Sequence, residues 1–462
     1  MQMALASSDV KGEVFSFTSP KDIEEHCIIL DRMPGGKYSD EDTRTEQSYC
    51  KINLYDGSIA VCPKAWSTSP GMEVFHLAGQ GRSPAEFEKS LCGTSLHKEI
   101  IASGQPITFK TTMNSSTTSG TFSTASLLYY HFSRYLHTAI NVPVAVYRSI
   151  DKNTYLQRVT LRGLALTAGS KARHMNHEAW LVMQKAEQNP ASYHPVDELF
   201  TRDRNQIYGI FMQPAGARYN SVLNGTRESG WGEGQNLDFQ NTAPFLALRS
   251  EQPLAAAIDH GLVKARKDKK LNHDMGSQVS AQQMVYWMQE LTEIALLDYI
   301  FSQQDRIGNI DYRYYWYWVA NGEVKRRHAE GKQPPNEIAA FKPVRLMRTQ
   351  LNDNDAGGRR SYVNYTKKTQ MLEKIRHYNA DIYKRLLALD IDFSKQGRLY
   401  NYVKRTFGLS ESQLKQVVKN TSQAVTILKE SCKQGRLRFD LDPEAFLLTG
   451  QGVERRIDCD RP

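Results

Sequence analysis

The first and second halves of this 462-residue chain carry different hydrophobic patterns, and this difference limits the folds open to it. As far as about residue 215, short apolar runs alternate with turn signals such as Asp56-Gly57, a pattern typical of β-strands. Beyond residue 280, apolar residues recur at helical spacing, most clearly from Met284 to Phe301. We therefore predict an α+β protein in which most strands precede the main helices.

The same patterns divide the chain into four segments. Residues 1–100 are predicted as an N-terminal extension of strands and loops with one helix near 84–92. Residues 101–216 form a strand-rich lobe, and within it a helix over 122–136 follows the strand that contains Lys110. Residues 217–240 are polar, rich in glycine and without periodicity, so we expect a hinge or long loop. Residues 241–462 form a helical lobe.

The composition excludes several classes of protein. Hydrophobic residues make up 40% and charged residues 24%, which is ordinary for a globular chain. No stretch of 18 apolar residues is present, so we expect no transmembrane segment. The net charge of +9 favours an acidic partner. Nucleic acid is an improbable partner, because the basic run from Lys264 to Lys270 lacks interleaved aromatic residues and is predicted to be a solvated loop.

The six cysteines leave the compartment open. No C-x-x-C pair is present, which argues against a zinc framework. Scattered buried thiols are one interpretation, and a disulfide between Cys50 and Cys62 across a hairpin is another. We expect a soluble protein that is either cytoplasmic or exported, with the signal peptide missing or trimmed from the sequence.

Two acidic loops carry the strongest chemical signal. The helix that ends near Phe301 runs into a polar loop with Asp305 and Asn309, and a second loop contains Asp353 and Asp355. Two strand-like runs separated by a polar tip lie between these loops and predict a hairpin, which would bring the loops to one end of the structure. Carboxylate and amide oxygens suit Mg²⁺ or Mn²⁺, and phosphoryl transfer uses such a set to hold metal ions on nucleotide phosphates.

These loops resemble those of the atypical kinases, the superfamily of the phosphatidylinositol kinases, the HipA toxin kinases and the secretory-pathway kinases. Asp305-Arg306-Ile-Gly-Asn309 is similar to their catalytic loop, and Asp353-Asn-Asp355-Ala-Gly357 is similar to their metal-binding loop. The similarity covers about 60 residues, from Leu297 to Gly357. Ile307 stands where many relatives have His, and Ser302-Gln303 replaces a Gly-Asn pair, but neither change removes a group needed for the chemistry.

The resemblance implies a two-lobed, protein-kinase-like fold with ATP and Mg²⁺ or Mn²⁺ as cofactors. It implies a catalytic role for Asp305 and its neighbour Arg306, and metal ligation by Asn309 and Asp353. Asp355 is the alternative metal ligand if the register is shifted by two residues.

The nucleotide-binding half of the resemblance is less complete. Lys110 stands where these kinases have a strand lysine for the phosphates, but no acidic residue lies between Lys110 and Asp151 to pair with it. Three explanations remain open: Glu178 on the next helix replaces the missing partner, Lys110 is the wrong lysine, or nucleotide binding is altered or lost. Gly79-Gln-Gly81 is interpreted as a turn, and Tyr208 to Gln213 as the strand between the lobes whose backbone would meet adenine.

The implied function is transfer of the γ-phosphoryl group of ATP to a hydroxyl of a protein or glycan acceptor. A pseudokinase-like scaffold or regulator without turnover is the main alternative, because the helix carboxylate is missing. Transfer of AMP in place of phosphate is a further alternative, since it would use the same metal ligands.

Overall fold

The computed structural model describes residues 12–78, 81–97, 106–115, 120–169, 174–214 and 216–462. Its architecture is α+β, with antiparallel sheets and a largely helical second half, as the sequence patterns predict. Part of the Gly79-Gln-Gly81 turn lies outside the described residues. Within these ranges, no helix combines the length and the hydropathy needed to cross a membrane.

A seven-stranded antiparallel sheet organises the first half of the molecule. Its strands are β1 (Gly12–Thr18), β2 (Glu24–Leu30), β3 (Ile59–Pro63), β4 (Gly71–His76), β5 (Ile107–Thr111), β6 (Ala145–Asp151) and β7 (Gln206–Met212). Their order in the sheet is β1-β2-β6-β7-β5-β4-β3. The four strands of the expected N-terminal extension therefore flank the other three on both sides. The sequence pattern divided the chain near residue 100, but hydrogen bonds between distant segments join the strands before and after this point into one sheet.

Six α-helices that lie wholly within the described residues accompany this sheet. They are α1 (Asp40–Cys50), α2 (Pro84–Leu91), α3 (Thr124–Leu136), α4 (Lys152–Tyr155), α5 (Leu161–Thr167) and α6 (His174–Gln188). Helix α3 packs on β6 and β7, and every one of its residues except Arg134 is buried. The dense apolar and aromatic sequence of α3 fits this enclosed position. The predicted helices near 84–92 and over 122–136 are confirmed.

The helical second half surrounds one long buried helix. Its helices are α7 (Ser221–Asn224), α8 (Glu233–Phe239), α9 (Ala243–Leu248), α10 (Leu254–Ala265), α11 (Lys269–Met275), α12 (Ala281–Phe301), α13 (Asn336–Ala339), α14 (Tyr365–Lys368), α15 (Ala380–Ser394), α16 (Arg398–Thr406), α17 (Glu411–Lys433) and α18 (Pro443–Thr449). Ser280 caps the start of α12, and Ser302, with a φ of 54°, ends it in the left-handed conformation. All residues of α12 from Gln283 onwards are buried, so this helix is the core of the second half.

The segment over 217–240, expected to be a hinge or long loop, contains regular structure. It begins with the two-residue strand β8 (Ala217–Arg218) and continues through the short helices α7 and α8. Elements this short do not produce a periodic apolar pattern, which explains why the sequence indicated a loop.

A second antiparallel sheet lies between the two acidic loops in the chain. It comprises β8, β9 (Asp311–Ala320), β10 (Glu323–His328) and β11 (Val344–Gln350), and β9 pairs with the other three. Gln350 at the end of β11 lies opposite Asp311 at the start of β9. The predicted hairpin is thus confirmed, except that its polar tip contains the additional strand β10. This register places both acidic loops at the same end of the sheet.

Buried polar contacts fix the second sheet to the long helix. Arg348 of β11 forms an ion pair with Glu290 of α12 at 2.5 Å, and both side chains are almost completely buried. The second carboxylate oxygen of Glu290 accepts hydrogen bonds from the backbone and side chain of Thr349. Because these groups satisfy one another, the end of β11 is held in one position on α12.

All six cysteines form disulfides. The pairs are Cys27–Cys50, Cys62–Cys92 and Cys432–Cys459. Neither interpretation of the cysteines is correct: no thiol is free, and Cys50 and Cys62 each bond to a cysteine on an element that packs against their own. The bridges link β2 to the end of α1, β3 to the residue after α2, and α17 to the C-terminal segment.

Candidate functional site

The two acidic loops meet where the seven-stranded sheet faces the helical half. Gln303 donates a side-chain hydrogen bond to the backbone oxygen of Asp353 at 2.9 Å. The amide of Gln304 donates to the backbone oxygen of Ala356 at 3.0 Å. At the start of α3, the amide of Phe122 donates to the backbone oxygen of Asp355 at 2.6 Å, which adds the first sheet to the junction. The predicted convergence of the loops is confirmed.

Arg306 holds the inner side of the junction. Its guanidinium forms a two-pronged ion pair with Asp298 of α12, with both distances 2.9 Å. It also donates to the backbone oxygen of Asp353 at 3.2 Å and to the side chain of Asn354 at 2.8 Å. Tyr129 of α3 donates to the same Asp298 carboxylate at 2.6 Å. Arg306 is 4% exposed, and in this position it joins the two loops and α12 into one unit.

Lys110 of β5 reaches the second loop from the sheet. Its ammonium group lies 3.0 Å from an oxygen of Asp353 and 3.1 Å from an oxygen of Asp355. Burial by itself lowers the pKa of Lys110, but these two carboxylates outweigh burial and hold it above its usual range. The strand lysine singled out from the sequence is therefore a charged member of the site.

Of the three explanations left open for Lys110, the pairing with Glu178 is not formed, since in the part of the chain described here the ion pairs of Lys110 are with the two aspartates. Glu178 is half-buried on α6, a helix that packs on α5.

Glu73 of β4 is an acidic side chain close to Lys110 within the sheet, and sequence reasoning missed it. Glu73 accepts a hydrogen bond from Thr108 at 2.6 Å, and burial raises its pKa to about 7, although Lys64 and Lys110 partly offset this effect.

Arg218 of β8 reaches the site from its outer side. Its guanidinium donates to Asp311 at 2.6 Å, to the backbone oxygen of Gly308 at 2.7 Å and to Asp353 at 3.3 Å. It also donates to the side-chain oxygen of Asn309. One guanidinium thus touches both Asn309 and Asp353, so these two predicted metal ligands lie close together although they are far apart in the sequence.

Asp305, the predicted catalytic carboxylate, lies at the edge of this network. Its buried Oδ1 has no hydrogen-bond partner among the described residues. Burial raises the pKa of Asp305 to about 6, and the neighbouring Asp353 adds to this rise, while Arg227 and Arg306 oppose it. A carboxyl group with a pKa near neutrality and a free oxygen has the properties of a general base.

The pKa values of Asp311 and Asp353 shift in opposite directions although both residues contact Arg218. Burial and the charge of Asp353 raise the pKa of Asp311 to about 7. Burial would also raise the pKa of Asp353, but Lys110, Arg218 and Lys64 outweigh it and hold that pKa far below its usual range. Asp353 is therefore the permanent anion of the site.

The donor set suits a hard divalent cation, but the carboxylates are paired with protein cations. Asn309, Asp353 and Asp355 offer the oxygen atoms that Mg²⁺ and Mn²⁺ prefer, and Asp311 has a buried oxygen without a partner in the described structure. Among these described residues, no three His, Cys, Asp or Glu side chains form a group ready to hold a metal ion. The ammonium group of Lys110 lies against Asp353 and Asp355, and the guanidinium of Arg218 lies against Asp311, Asn309 and Asp353.

Further positive charge borders the site. Lys64, after β3, lowers the pKa of both Glu73 and Asp353 through its charge. Arg227 stacks on the exposed ring of Trp231 at 4.5 Å and lies beside Gly308, whose φ of 84° requires glycine. A group with several negative charges, such as a polyphosphate, would meet cations from both halves of the molecule here.

Sequence reasoning missed both Arg218 and Asp311. Arg218 lies in a segment expected to be a loop, and surface loops commonly contain arginine. Asp311 follows the acidic loop directly, so its proximity in sequence was a usable signal.

A scan of the chain against models of protein families and a search of curated proteins both find no match.

Proposed function

We propose that this protein is an atypical kinase that transfers the γ-phosphoryl group of ATP to a hydroxyl of a protein or glycan acceptor. The observation that carries this proposal is the meeting at Asp353 of a strand lysine, Lys110, and the loop of Asp305 and Asn309. Phosphoryl transfer requires a cation for the phosphates, oxygen ligands for metal ions and a carboxylate for the acceptor. All three groups lie in one network.

The order of elements along the chain gives additional support. The lysine strand β5 comes first, followed by α3, the strands β6 and β7, a connector and then the helical half with both acidic loops. Protein kinases have a strand lysine followed by a catalytic loop and a metal-binding Asp in that same order. A protein-kinase-like arrangement of two lobes, with the nucleotide between sheet and helices, would account for the connections seen here.

Each residue has a defined task in the proposed reaction. Asp305 would accept the proton of the attacking hydroxyl, because its pKa of about 6 leaves it mostly ionised at neutral pH. Lys110 would exchange its aspartate contacts for phosphate oxygens. A Mg²⁺ or Mn²⁺ ion held by Asn309, Asp353 and Asp355 would neutralise charge on the transferred group. Arg306 would keep both loops in register without touching the substrate.

The intact mass of the protein after incubation with ATP and Mg²⁺ or Mn²⁺ tests this proposal. A gain of one phosphate on the protein or on an added acceptor supports it, and a gain of one AMP identifies the alternative transfer. Asp305→Ala and Asp353→Ala should each abolish the gain while the protein stays folded. Full activity in either variant would contradict the assignment of roles.

One observation favours the alternative of a scaffold or regulator without turnover. Lys110 forms ion pairs with the aspartates of the second loop. Helix α3 contains no Asp or Glu that could pair with Lys110 in their place. A thermal shift assay with ATP and Mn²⁺ separates the two functions in part. No shift in melting temperature, together with no change of mass, would favour the scaffold.

The disulfides bear on the compartment. Three disulfides involve every cysteine of the sequence, and such bonds persist mainly in oxidising compartments. We therefore favour an exported protein over a cytoplasmic one, and acceptors that carry hydroxyl groups in such a compartment.

A further inference from the structure

Within the described structure, Asp311 is a buried carboxylate with one paired and one unpaired oxygen. It lies at the start of β9 and is 1% exposed. Its Oδ1 accepts a hydrogen bond from Nε of Arg218 at 2.6 Å, whereas its buried Oδ2 has no partner among the residues that the structure describes. A buried carboxylate oxygen without a partner is energetically costly, so this oxygen marks a place where a donor or a cation would be stabilising.

The guanidinium of Arg218 lies among oxygen atoms that would suit a metal ion. Its acceptors are two carboxylates, of Asp311 and Asp353, the side-chain amide oxygen of Asn309 and the backbone oxygen of Gly308. These are the kinds of oxygen ligand that Mg²⁺ and Mn²⁺ take from proteins. A guanidinium carries one positive charge and a divalent cation carries two, so both would compete for the same anionic oxygens.

Arg218 is placed where it can move. Its side chain is 43% exposed, and β8 consists of only two residues, paired with Tyr312 and Asp311 of β9. Lys110, which forms the second ion pair with Asp353, is 9% exposed and projects from an inner strand of the seven-stranded sheet. Of these two cations, Arg218 would lose less on being displaced, because solvent can replace its contacts.

We propose that Asp311 is a further ligand of the divalent cation and that Arg218 is an internal counter-ion occupying this place until the cation binds. This inference rests on the proposed function, because it concerns the metal of the same site. Asp311, Asn309 and Asp353 would hold the cation through their side-chain oxygens. The guanidinium of Arg218, whose side chain is already 43% exposed, would then be free to contact solvent or phosphate oxygens.

Titration of the full-length protein with Mn²⁺, followed by the electron paramagnetic resonance signal of free Mn²⁺, tests this inference directly. We expect Arg218→Gln to bind Mn²⁺ about three- to tenfold more tightly than the unmodified protein, because one competing exposed cation is removed. Arg218→Lys retains the charge and should stay near the unmodified affinity. Asp311→Asn should weaken Mn²⁺ binding about tenfold or more, in the presence or absence of Arg218.

Arg327→Gln is the matched control. Arg327 of β10 is 40% exposed and forms an ion pair with Glu337 of α13. This ion pair lies outside the network of the two acidic loops. Its replacement should leave Mn²⁺ affinity unchanged. Thermal unfolding of every variant shows whether it is folded, and Asp311→Glu provides a second variant if Asp311→Asn is unstable.

The outcomes separate this inference from the proposed function. If the unmodified protein binds Mn²⁺ and transfers phosphate, but Arg218→Gln and Asp311→Asn leave the affinity unchanged, the inference is wrong and the proposed function stands. If Mn²⁺ binds more tightly to Arg218→Gln while intact mass shows no transfer, the counter-ion is supported and the kinase assignment is not. Absence of Mn²⁺ binding in all variants, with ATP present, overturns the inference.

Discussion

Two arginines fix the loop over 302–310, and their surroundings differ strongly: Arg306 lies within the loop, and Arg218 contacts it from β8. Arg306 is 4% exposed and binds Asp298 with two prongs, while also contacting the second loop. The side chain of Arg218 is 43% exposed and donates to oxygen atoms from three different segments. Both residues carry the same charge and meet aspartates, so burial and connection to the core make the difference.

Arg306 holds the site together, whereas Arg218 can change its contacts within the site. A buried ion pair is strongly coupled to the fold, because removal of one partner leaves an unpaired charge away from water. An exposed guanidinium can exchange its partners for water or for a ligand at small cost. We therefore expect the inner side of the junction to tolerate no substitution and the outer side to respond mainly to ligands.

Replacement of Arg306 should have the largest effect on stability. Arg306→Ala leaves Asp298 buried without its cation and should lower the free energy of unfolding by about 3–5 kcal/mol. Urea unfolding followed by circular dichroism measures this change. Arg327→Ala, at an exposed ion pair, should change stability by less than about 1 kcal/mol. Equal losses in the two variants would contradict the distinction between buried and exposed arginines.

Replacement of Asp305 should separate activity from stability. Asp305→Asn removes the proposed base and should reduce phosphate transfer by about 10²–10⁴-fold. The same change removes a buried charge whose pKa is raised to about 6, so it should raise the free energy of unfolding at pH 7.5 by about 1–2 kcal/mol. Transfer assays and thermal unfolding measure the two effects. A variant that is both fully active and unchanged in stability would refute the role of Asp305.

The dependence on pH follows from the same raised pKa. Folding favours the protonated form of Asp305, so the cost of burying its charge is absent below pH 4, grows as the pH rises and is complete above about pH 6. The stability gain of Asp305→Asn should therefore disappear as the pH falls from 7 to 4. Transfer by the unmodified protein should instead increase as the pH rises through about 6. An activity that falls over this interval would exclude Asp305 as the base.

Replacement of Arg218 should have the smallest effect on stability. Arg218→Ala should change the free energy of unfolding by about 1 kcal/mol in metal-free buffer, because solvent screens its ion pair with Asp353 and the buried Asp311, whose pKa is already raised to about 7, can take up a proton. Added Mn²⁺ should raise the melting temperature of this variant more than that of the unmodified protein. A loss of several kcal/mol in metal-free buffer would show that Arg218 supports the fold in the same way as Arg306.

Local patterns predicted the elements that lie next to the site. The helix predicted from Met284 to Phe301 is α12, and the strand predicted around Lys110 is β5. These segments are long or strongly patterned, and they repeat one periodicity over several residues. Elements with a few polar residues, such as β8 and β10, gave no such pattern, and the sequence therefore indicated loops there.

The sequence by itself determined the α+β class, the long helix and its following acidic loop, and the return of the chain through paired strands to a second acidic loop. These features depend on residues that are neighbours or nearly so. Tertiary structure alone decided that Lys110 contacts Asp353 and Asp355, that Arg218 reaches Asn309, and which cysteines pair. The reason is physical: side-chain partners are chosen by distance in space, and packing brings together segments whose separation along the chain carries no local pattern.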